Sequence, residues 1–349
     1  MKHLRRIGKS ICIVFCLTML CACGVQPQQP EEPAQETVEQ PAVSDIYELP
    51  LFDELPKEYS TIDPAFWVAE SQNGGRVYLL GSIHVADETA YRLPQPIMDA
   101  YLESDALAVE VDTVSYADDE MAQKSDEERT TYPDGDTLRN HIDPLMYEQL
   151  QEYISSNTDD PQLLPSLENR MPCVWLSALT DIEDAAAGLS PELGIDQHFM
   201  QLAHEQGKEI IEIESSAAQY EVLNRIPDKA YEILFSTYIY ETEDTAGDSL
   251  KSTYAAWKAG TLQASMEITG EEAAGDASGY AEAIAEYYRI LFTERNTVMA
   301  DAAKSYLDAG KKVFLTVGAE HLLGSSGVVA QLEADGYHLS PLGGAEGKE

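Results

Sequence analysis

The spacing of apolar residues along the chain predicts alternating strands and helices. Two short apolar runs at 65–69 and 77–80 flank a polar Asn-Gly-Gly turn at 73–75, which favours a β-hairpin. Residues 94–104 begin with a proline that the first turn of a helix tolerates, so we predict a helix there. Residues 106–111 form a nearly continuous apolar run interrupted by one acid, and we predict a buried strand.

The rest of the chain continues this pattern with more helix. Residues 112–161 are acidic and polar, which predicts solvated loops and a surface helix. The other predicted elements are helices near 170–180 and 195–207, a strand at 209–213, helical segments over 215–306 with loops at 241–248 and 269–279, a strand at 312–317, a helix at 327–334 and a strand at 338–342. Strands that alternate with helices predict an α/β fold: a mixed, largely parallel central sheet flanked by helices, with the helix-rich middle as an insertion or a cap.

The N-terminus has the pattern of a lipoprotein signal. A basic start without acids precedes the apolar run 11–20, which is too short to span a bilayer. The sequence Leu20-Cys21-Ala22-Cys23 then resembles a lipobox, so we predict a signal peptide over 1–22 and lipidation of Cys23. An ordinary secretory signal with incidental cysteines is the alternative.

The segment after Cys23 predicts a tether. Residues 23–45 are rich in Gln, Pro and Glu and have few apolar side chains, so they cannot bury enough surface to offset the entropy of ordering. Residues 46–345 then form one α/β domain. Together these predictions place the protein outside the cytoplasm, anchored to the membrane by its lipid.

Charge and cysteine usage narrow the class of protein. The chain has 62 acidic and 22 basic residues and a formal charge of −40, and removal of the signal deletes four basic residues, which gives −44. Phosphates repel such a domain, so we exclude nucleic acid as a partner. Cys173 is the one cysteine among the five that lies beyond residue 23, which excludes an intrachain disulfide and a cysteine-based zinc site in the folded part. We expect Cys173 to be a small buried side chain.

The most informative motif is a repeated Gly-x-x-His. It occurs at 81–84 and 318–321, each time where an apolar strand ends. In open α/β sheets ligands bind beyond the carboxyl ends of strands, so His84 and His321 are presented where a site is expected. Each histidine alone is more often structural, but a pair at equivalent strand ends favours ligands.

Glu110 extends this candidate site. It interrupts the apolar run 106–111, where burial of a carboxylate is costly unless it is paired or bound to a metal. Two imidazoles and a carboxylate suit a divalent metal such as Zn, Mn or Co, which can turn bound water into a nucleophile. We therefore predict a metal site of His84, His321 and Glu110, with Glu110 as a ligand or as the general base.

These segments resemble the TraB/PrgY/GumN family, which includes the TIKI metalloproteases. The resembling segments are 77–84, 108–112, 192–196, 212–214, 294–296, 317–324 and 336–337, and they span about residues 62–343. The resemblance implies peptide cleavage or the shutdown of peptide pheromones. It also implicates His84, His321 and Glu110 as the functional groups of the metalloprotease branch.

Arg295 and Glu320 are further candidates for catalysis. The resemblance gives Arg295 the role of stabilising a developing oxyanion, and a surface ion pair with Glu294 or a neighbouring acid is the alternative. Glu320 lies inside the second motif and is a candidate general base, although strand alternation would point it away from His321.

Several polar residues form a second tier. Asp196 and Glu214 are candidate ligands or partners of ligands, and either is also placed to cap an element. Asn296 lies in one of the resembling segments. His198 and His204 lie six residues apart on one predicted helix, on different faces, and we predict that both are surface residues.

The leading hypothesis is a metal-dependent hydrolase of the cell envelope that acts on peptide bonds. The competing hypothesis is a lipoprotein that binds a peptide, a metal or haem without turnover. A third is an interaction module whose histidines are only structural.

Overall fold

The computed structural model describes residues 62–240, 247–263 and 278–343. The predicted signal peptide, Cys23 and the predicted tether lie outside these residues. So do most residues of the two predicted acidic loops, at 241–246 and 269–277.

A six-stranded mixed sheet forms the centre of the described chain, as predicted. Its strands are β1 (Phe66–Glu70), β2 (Arg76–Ser82), β3 (Ala106–Val109), β4 (Glu209–Glu212), β5 (Lys312–Gly318) and β6 (His338–Gly343). The spatial order is β4-β3-β5-β2-β1-β6. Strands β4, β3, β5 and β2 pair in parallel, whereas β1 pairs antiparallel with β2 and β6. The predicted hairpin is therefore β1–β2, with Gly74 in the left-handed region at φ 89°.

Helices account for most of the remaining described residues. They are α1 (Gln95–Glu103), α2 (Thr113–Ala117), α3 (Glu120–Arg129), α4 (Pro144–Asn157), α5 (Leu163–Leu167), α6 (Pro172–Ala187), α7 (Ile195–Gln206), α8 (Ser216–Leu223), α9 (Asp228–Ile239), α10 (Asp248–Lys258), α11 (Tyr280–Tyr288), α12 (Arg295–Asp308), α13 (Ala319–Leu322) and α14 (Val328–Ala334). Helix α7 ends at Gly207 in the left-handed conformation, as predicted.

The sheet buries both of its faces. Helices α1, α7 and α10 pack on one face, where Phe199 and Trp257 contact the apolar cluster around Phe314. Helices α12 and α14 cover the other face through Met299 and Leu332. A parallel sheet covered on both sides explains why its strands are continuous apolar runs.

Helices from the middle of the chain form a core of their own. Helices α4, α6, α8, α9 and α11 contribute its buried side chains, with Trp175 and Phe235 among the largest. Cys173 is a buried thiol in this core, as expected. Most helices from the middle of the chain thus form a layer beside the sheet. Helices α7 and α10 are exceptions, because they pack on a face of the sheet.

Two details differ from the sequence prediction. Strand β3 ends at Val109, so Glu110 follows the strand instead of lying within it. Residues 112–161 hold the three helices α2, α3 and α4, and Leu150 and Ile154 of α4 are fully buried. Most acidic residues of this region are exposed and hide the buried apolar positions, although Asp112 and Asp126 are buried.

Candidate functional site

Both Gly-x-x-His motifs and Glu110 meet at one edge of the sheet. Strands β2 and β5 are parallel neighbours in which Ser82 pairs with Gly318, so the two motifs leave the sheet side by side. Strand β3 flanks β5 and ends one residue before Glu110. His84, Glu110 and His321 are all buried. The structure therefore brings the three residues together as the sequence predicts.

Gly318 leaves a small space among these side chains. A Cβ atom on Gly318 would lie 3.1 Å from Nε2 of His84, 3.6 Å from Oε1 of Glu110 and 3.6 Å from Cδ2 of His321. The N–H of Gly318 donates to Oε1 of Glu110 at 2.8 Å. Glycine is needed here because any side chain would fill the space on which the three groups converge.

Asp196 fixes the orientation of His84. Its Oδ2 lies 3.0 Å from Nδ1 of His84, which turns Nε2 toward the space at Gly318. Helix α7 is held against this motif, since the N–H of Ile195 donates to the carbonyl of Ile83 at 2.9 Å. Gly194 is the N-cap of α7, and Asp196 lies in the first turn. Asp196 is therefore the partner of a site histidine and not a cap.

Arg295 joins the acidic side of the site. Its Nη2 donates to Oε2 of Glu110 at 2.6 Å and to Oε2 of Glu214 at 2.8 Å, and its Nε donates to Oε1 of Glu214 at 2.9 Å. Arg295 is buried, whereas Glu294 pairs with Arg225 at the surface. The alternative of a surface ion pair between Arg295 and Glu294 is wrong.

A π-helical segment, Arg289–Glu294, leads into α12 and sets which of these neighbours faces inward. Such segments change the phase of a helix and occur often at functional sites. Here Arg295 and Asn296 both face the sheet edge. A periodic pattern of constant 3.6-residue spacing does not reveal this change of phase.

His321 is bonded at both ring nitrogens. Nδ1 lies 2.6 Å from Oδ1 of Asn296, and Nε2 lies 3.1 Å from Nη1 of Arg295. A guanidinium only donates, so Nε2 accepts from Arg295 and Nδ1 carries the proton that Asn296 accepts. Asn296 therefore holds the orientation of the His321 ring.

Glu110 is ionised at neutral pH despite its burial. Burial alone would raise the pKa of Glu110. The positive charge of Arg295 opposes this most strongly, followed by His321, His84 and the N–H of Gly318, and together they lower the pKa to about 2. Such a weak base is better suited to bind a cation than to accept a proton from water.

Gln219 belongs to the site and was missed in the sequence. It is buried in α8, and its Nε2 donates to Oε2 of Glu214 at 2.9 Å and approaches Oε2 of Glu110 at 3.4 Å. No sequence signal marks it, because a lone glutamine in a helix is ordinarily exposed.

The other candidate residues have different outcomes. Glu320 is buried in the four-residue helix α13, directly before His321, and its role as a base stays a prediction.

His198 is buried and its ring stacks on Tyr91 at a centroid distance of 4.5 Å, so its prediction as a surface residue is wrong. Burial lowers the pKa of His198 to about 4. His204 is partly exposed and lies 2.8 Å from Oδ2 of Asp112.

The predicted metal fits two of its three ligands. Nε2 of His84 and Oε1 of Glu110 face the same space at Gly318. His321 does not fit in this arrangement, because Arg295 donates to its Nε2. Among the described residues, no group of three or more His, Cys, Asp and Glu side chains is arranged to hold a metal ion.

Fold and site define a class: an α/β protein with two strand-end histidines and a buried glutamate at one edge of the sheet. The TraB/PrgY/gumN family model matches residues 65–341, and the chain belongs to this family. It is also 26% identical over 256 residues to the uncharacterized protein YbaP of Escherichia coli (strain K12), a match that covers 73% of this chain and 87% of YbaP. YbaP of Shigella flexneri matches equally. No solved structure matches the chain significantly.

Within 62–240, 247–263 and 278–343, no helix has the length and apolarity to cross a bilayer.

Proposed function

We propose that the protein is a metal-dependent hydrolase that cleaves peptide bonds at the Gly318 edge of the sheet. The observation that carries the proposal is the convergence of His84, Glu110 and His321 on the space above Gly318. A site at the carboxyl ends of parallel strands is where α/β proteins bind their ligands. The lipid anchor at Cys23 would hold this site at the membrane, outside the cytoplasm, where peptides are secreted or displayed.

Nε2 of His84 and Oε1 of Glu110 are the atoms that would hold a divalent cation such as Mn, Zn or Co. Such a cation supplies a nucleophile by lowering the pKa of a bound water. Asp196 supports it indirectly, since a carboxylate behind Nδ1 fixes the ring and increases the basicity of the imidazole. His321 is the third predicted ligand.

The remaining polar groups would act on the peptide. Arg295 places a permanent positive charge beside Glu110, where it would stabilise the negative charge that develops on a carbonyl oxygen. Because the pKa of Glu110 is lowered to about 2, we assign Glu110 as a ligand. Glu320 is then the candidate that accepts the proton of the attacking water and delivers it to the amine nitrogen as the C–N bond breaks.

The test combines metal content with peptide cleavage. We expect the purified mature protein to retain about one metal per chain after dialysis and to cleave a peptide library when Mn or Zn is present. His84→Ala should abolish both the retention of metal and the cleavage of peptides. Asp196→Asn should weaken metal binding by about 10–100-fold, because it removes the carboxylate behind His84. Gly318→Ala should weaken metal binding by about tenfold, since its Cβ would lie 3.1 Å from Nε2 of His84.

His338→Ala is the matched control, because His338 is an exposed histidine on the edge strand β6. It should retain full metal content and cleavage. Metal retention without cleavage of any peptide would overturn the hydrolase proposal and favour a protein that binds without turnover. A Soret band on addition of haem would have the same meaning. Absence of both metal and cleavage in the wild type would overturn the proposed site.

A further inference from the structure

We infer that Arg295 and a divalent cation are alternative partners of Nε2 of His321 beside the carboxylate of Glu110, so that Arg295 sets the metal affinity of the site. This inference rests on the proposed metal site and concerns its regulation. It starts from the disagreement between the three predicted ligands and the two that face the space at Gly318.

One hydrogen bond of Arg295 uses an atom that a three-ligand metal site would need, because its Nη1 lies 3.1 Å from Nε2 of His321. Its Nη2 lies 2.6 Å from Oε2 of Glu110, the second oxygen of the carboxylate whose Oε1 faces the space at Gly318. Nδ1 of His321 is turned to Asn296, so Nε2 is the nitrogen left for a ligand. A nitrogen lone pair that accepts an N–H cannot also bind a metal at about 2.0–2.1 Å.

Charge makes the two occupants exclusive. The guanidinium stays protonated at all physiological pH values, so it cannot become neutral when a metal arrives. A metal in contact with both His321 and Glu110 would lie within a few ångströms of this fixed charge, and burial strengthens their repulsion. The metal and Arg295 therefore bind Nε2 of His321 in turn and not together.

Glu214 holds Arg295 in place. Its two oxygens accept from Nε and Nη2 of Arg295 at 2.8–3.2 Å, in the bidentate arrangement that suits a guanidinium. Gln219 donates to the same carboxylate at 2.9 Å and fixes it. Because Glu214 is not one of the three predicted ligands, this anchor can be removed without removing a ligand.

The consequence is a site with two states. While Arg295 is seated, His84 and Oε1 of Glu110 provide a weak two-ligand site. Once Arg295 leaves, His321 becomes available as a third ligand. A substrate carboxylate or a carbonyl oxygen that draws Arg295 toward itself would then tighten metal binding.

Calorimetric titration with Co²⁺ and Mn²⁺ tests this inference. The principal variant is the double substitution Arg295→Met with Glu214→Gln, which removes the cation together with its anchoring carboxylate and so keeps the net charge. We expect this variant to bind metal at least about tenfold more tightly than the wild type. His321→Ala should weaken binding in the double variant but not in the wild type, because His321 is a ligand only when Arg295 is absent.

Arg289→Met is the matched control: it removes an exposed arginine that pairs with Glu286 and Glu294, and it should leave metal affinity unchanged. Arg295→Gln with Glu214→Gln, a polar version of the double substitution, provides a second variant if the first does not fold, and it should also bind metal more tightly than the wild type. Unchanged or weaker binding in the folded variants would overturn the inference. If affinity changes as expected but no peptide is cleaved, the inference stands and the hydrolase proposal fails.

Discussion

Two buried carboxylates of this protein titrate in opposite directions. Glu110 at the sheet edge is surrounded by Arg295, two imidazoles and a backbone N–H, which lower its pKa to about 2. Asp184 in α6 is also buried, but neither of its carboxylate oxygens has a hydrogen-bond partner among the described residues. Burial and the nearby charges of Asp181 and Glu183 raise the pKa of Asp184 to about 8.

The comparison shows that burial alone does not decide the charge of a carboxyl group. Burial raises the pKa of both groups, and nearby cations and N–H donors decide whether this penalty is overcome. Glu110 is therefore an anion that can bind a cation at neutral pH. Asp184 is largely protonated there, which explains how its helical core accommodates it.

Removal of Arg295 should produce the largest loss of stability among the variants considered. Arg295→Met leaves Glu110 and Glu214 buried without their cation, and we expect a loss of about 3–5 kcal/mol in the free energy of unfolding at neutral pH. Urea denaturation measures it. Arg289→Met, at an exposed arginine, should change the free energy of unfolding very little. Equal losses in the two variants would show that the buried network adds nothing to stability.

Substitution of Glu110 should give a smaller loss with a defined pH dependence. Glu110→Gln removes a charged hydrogen bond to Arg295, and we expect a loss of about 1.5–3 kcal/mol at neutral pH. Because its folded pKa is lowered, Glu110 stabilises the wild type above a pH of about 4.5, and this contribution is lost as the pH falls toward 2. The difference in the free energy of unfolding between the wild type and Glu110→Gln should therefore shrink below a pH of about 4.5. A difference that grows in acid would contradict the lowered pKa.

Asp184→Asn should increase the free energy of unfolding, whereas Glu110→Gln should decrease it. The folded pKa of Asp184 is raised, so the wild type loses stability as the pH rises from about 4 to 8. The variant lacks this loss and should be more stable than the wild type by roughly 1–3 kcal/mol near pH 8. Thermal unfolding across this pH range measures the effect. If the two proteins differ by the same amount at pH 4 and pH 8, the carboxyl group is ionised in the folded state throughout.

Gln219 should have the smallest effect. Gln219→Met keeps the length of the side chain but removes the N–H donors to Glu214, and we expect a loss of about 1 kcal/mol in the free energy of unfolding. Gln206→Met on an exposed position at the end of α7 is the control. A loss no larger than that of the control would show that Arg295 alone fixes the two glutamates.

Much of the site could be predicted because strand direction follows from local patterns. The apolar runs before His84, Glu110 and His321 each predict a strand, and parallel strands end at a common edge. These three residues do meet there. The sequence left Asp196 and Glu214 open as ligands, partners of ligands or caps, and the structure places Asp196 beside His84 and Glu214 beside Arg295.

Other assignments depend on packing that no local pattern records. Arg295 and Glu294 are neighbours of equal polarity, and the π-helical segment before α12 determines that Arg295 is the buried one. His198 is buried because its ring stacks on Tyr91 from a distant part of the chain.

The sequence by itself determined the strands and helices, the common edge of the two motifs and the acidity of the protein, because periodicity and composition are local properties. The tertiary structure decided which partners each buried charge receives. Glu110 pairs with Arg295, which lies 185 positions away along the chain. Among the described residues, the charges that shift the pKa of Asp184 are the like charges of Asp181 and Glu183 in its own helix. Pairing of buried charges depends on distances between elements, and those distances exist only in the folded chain.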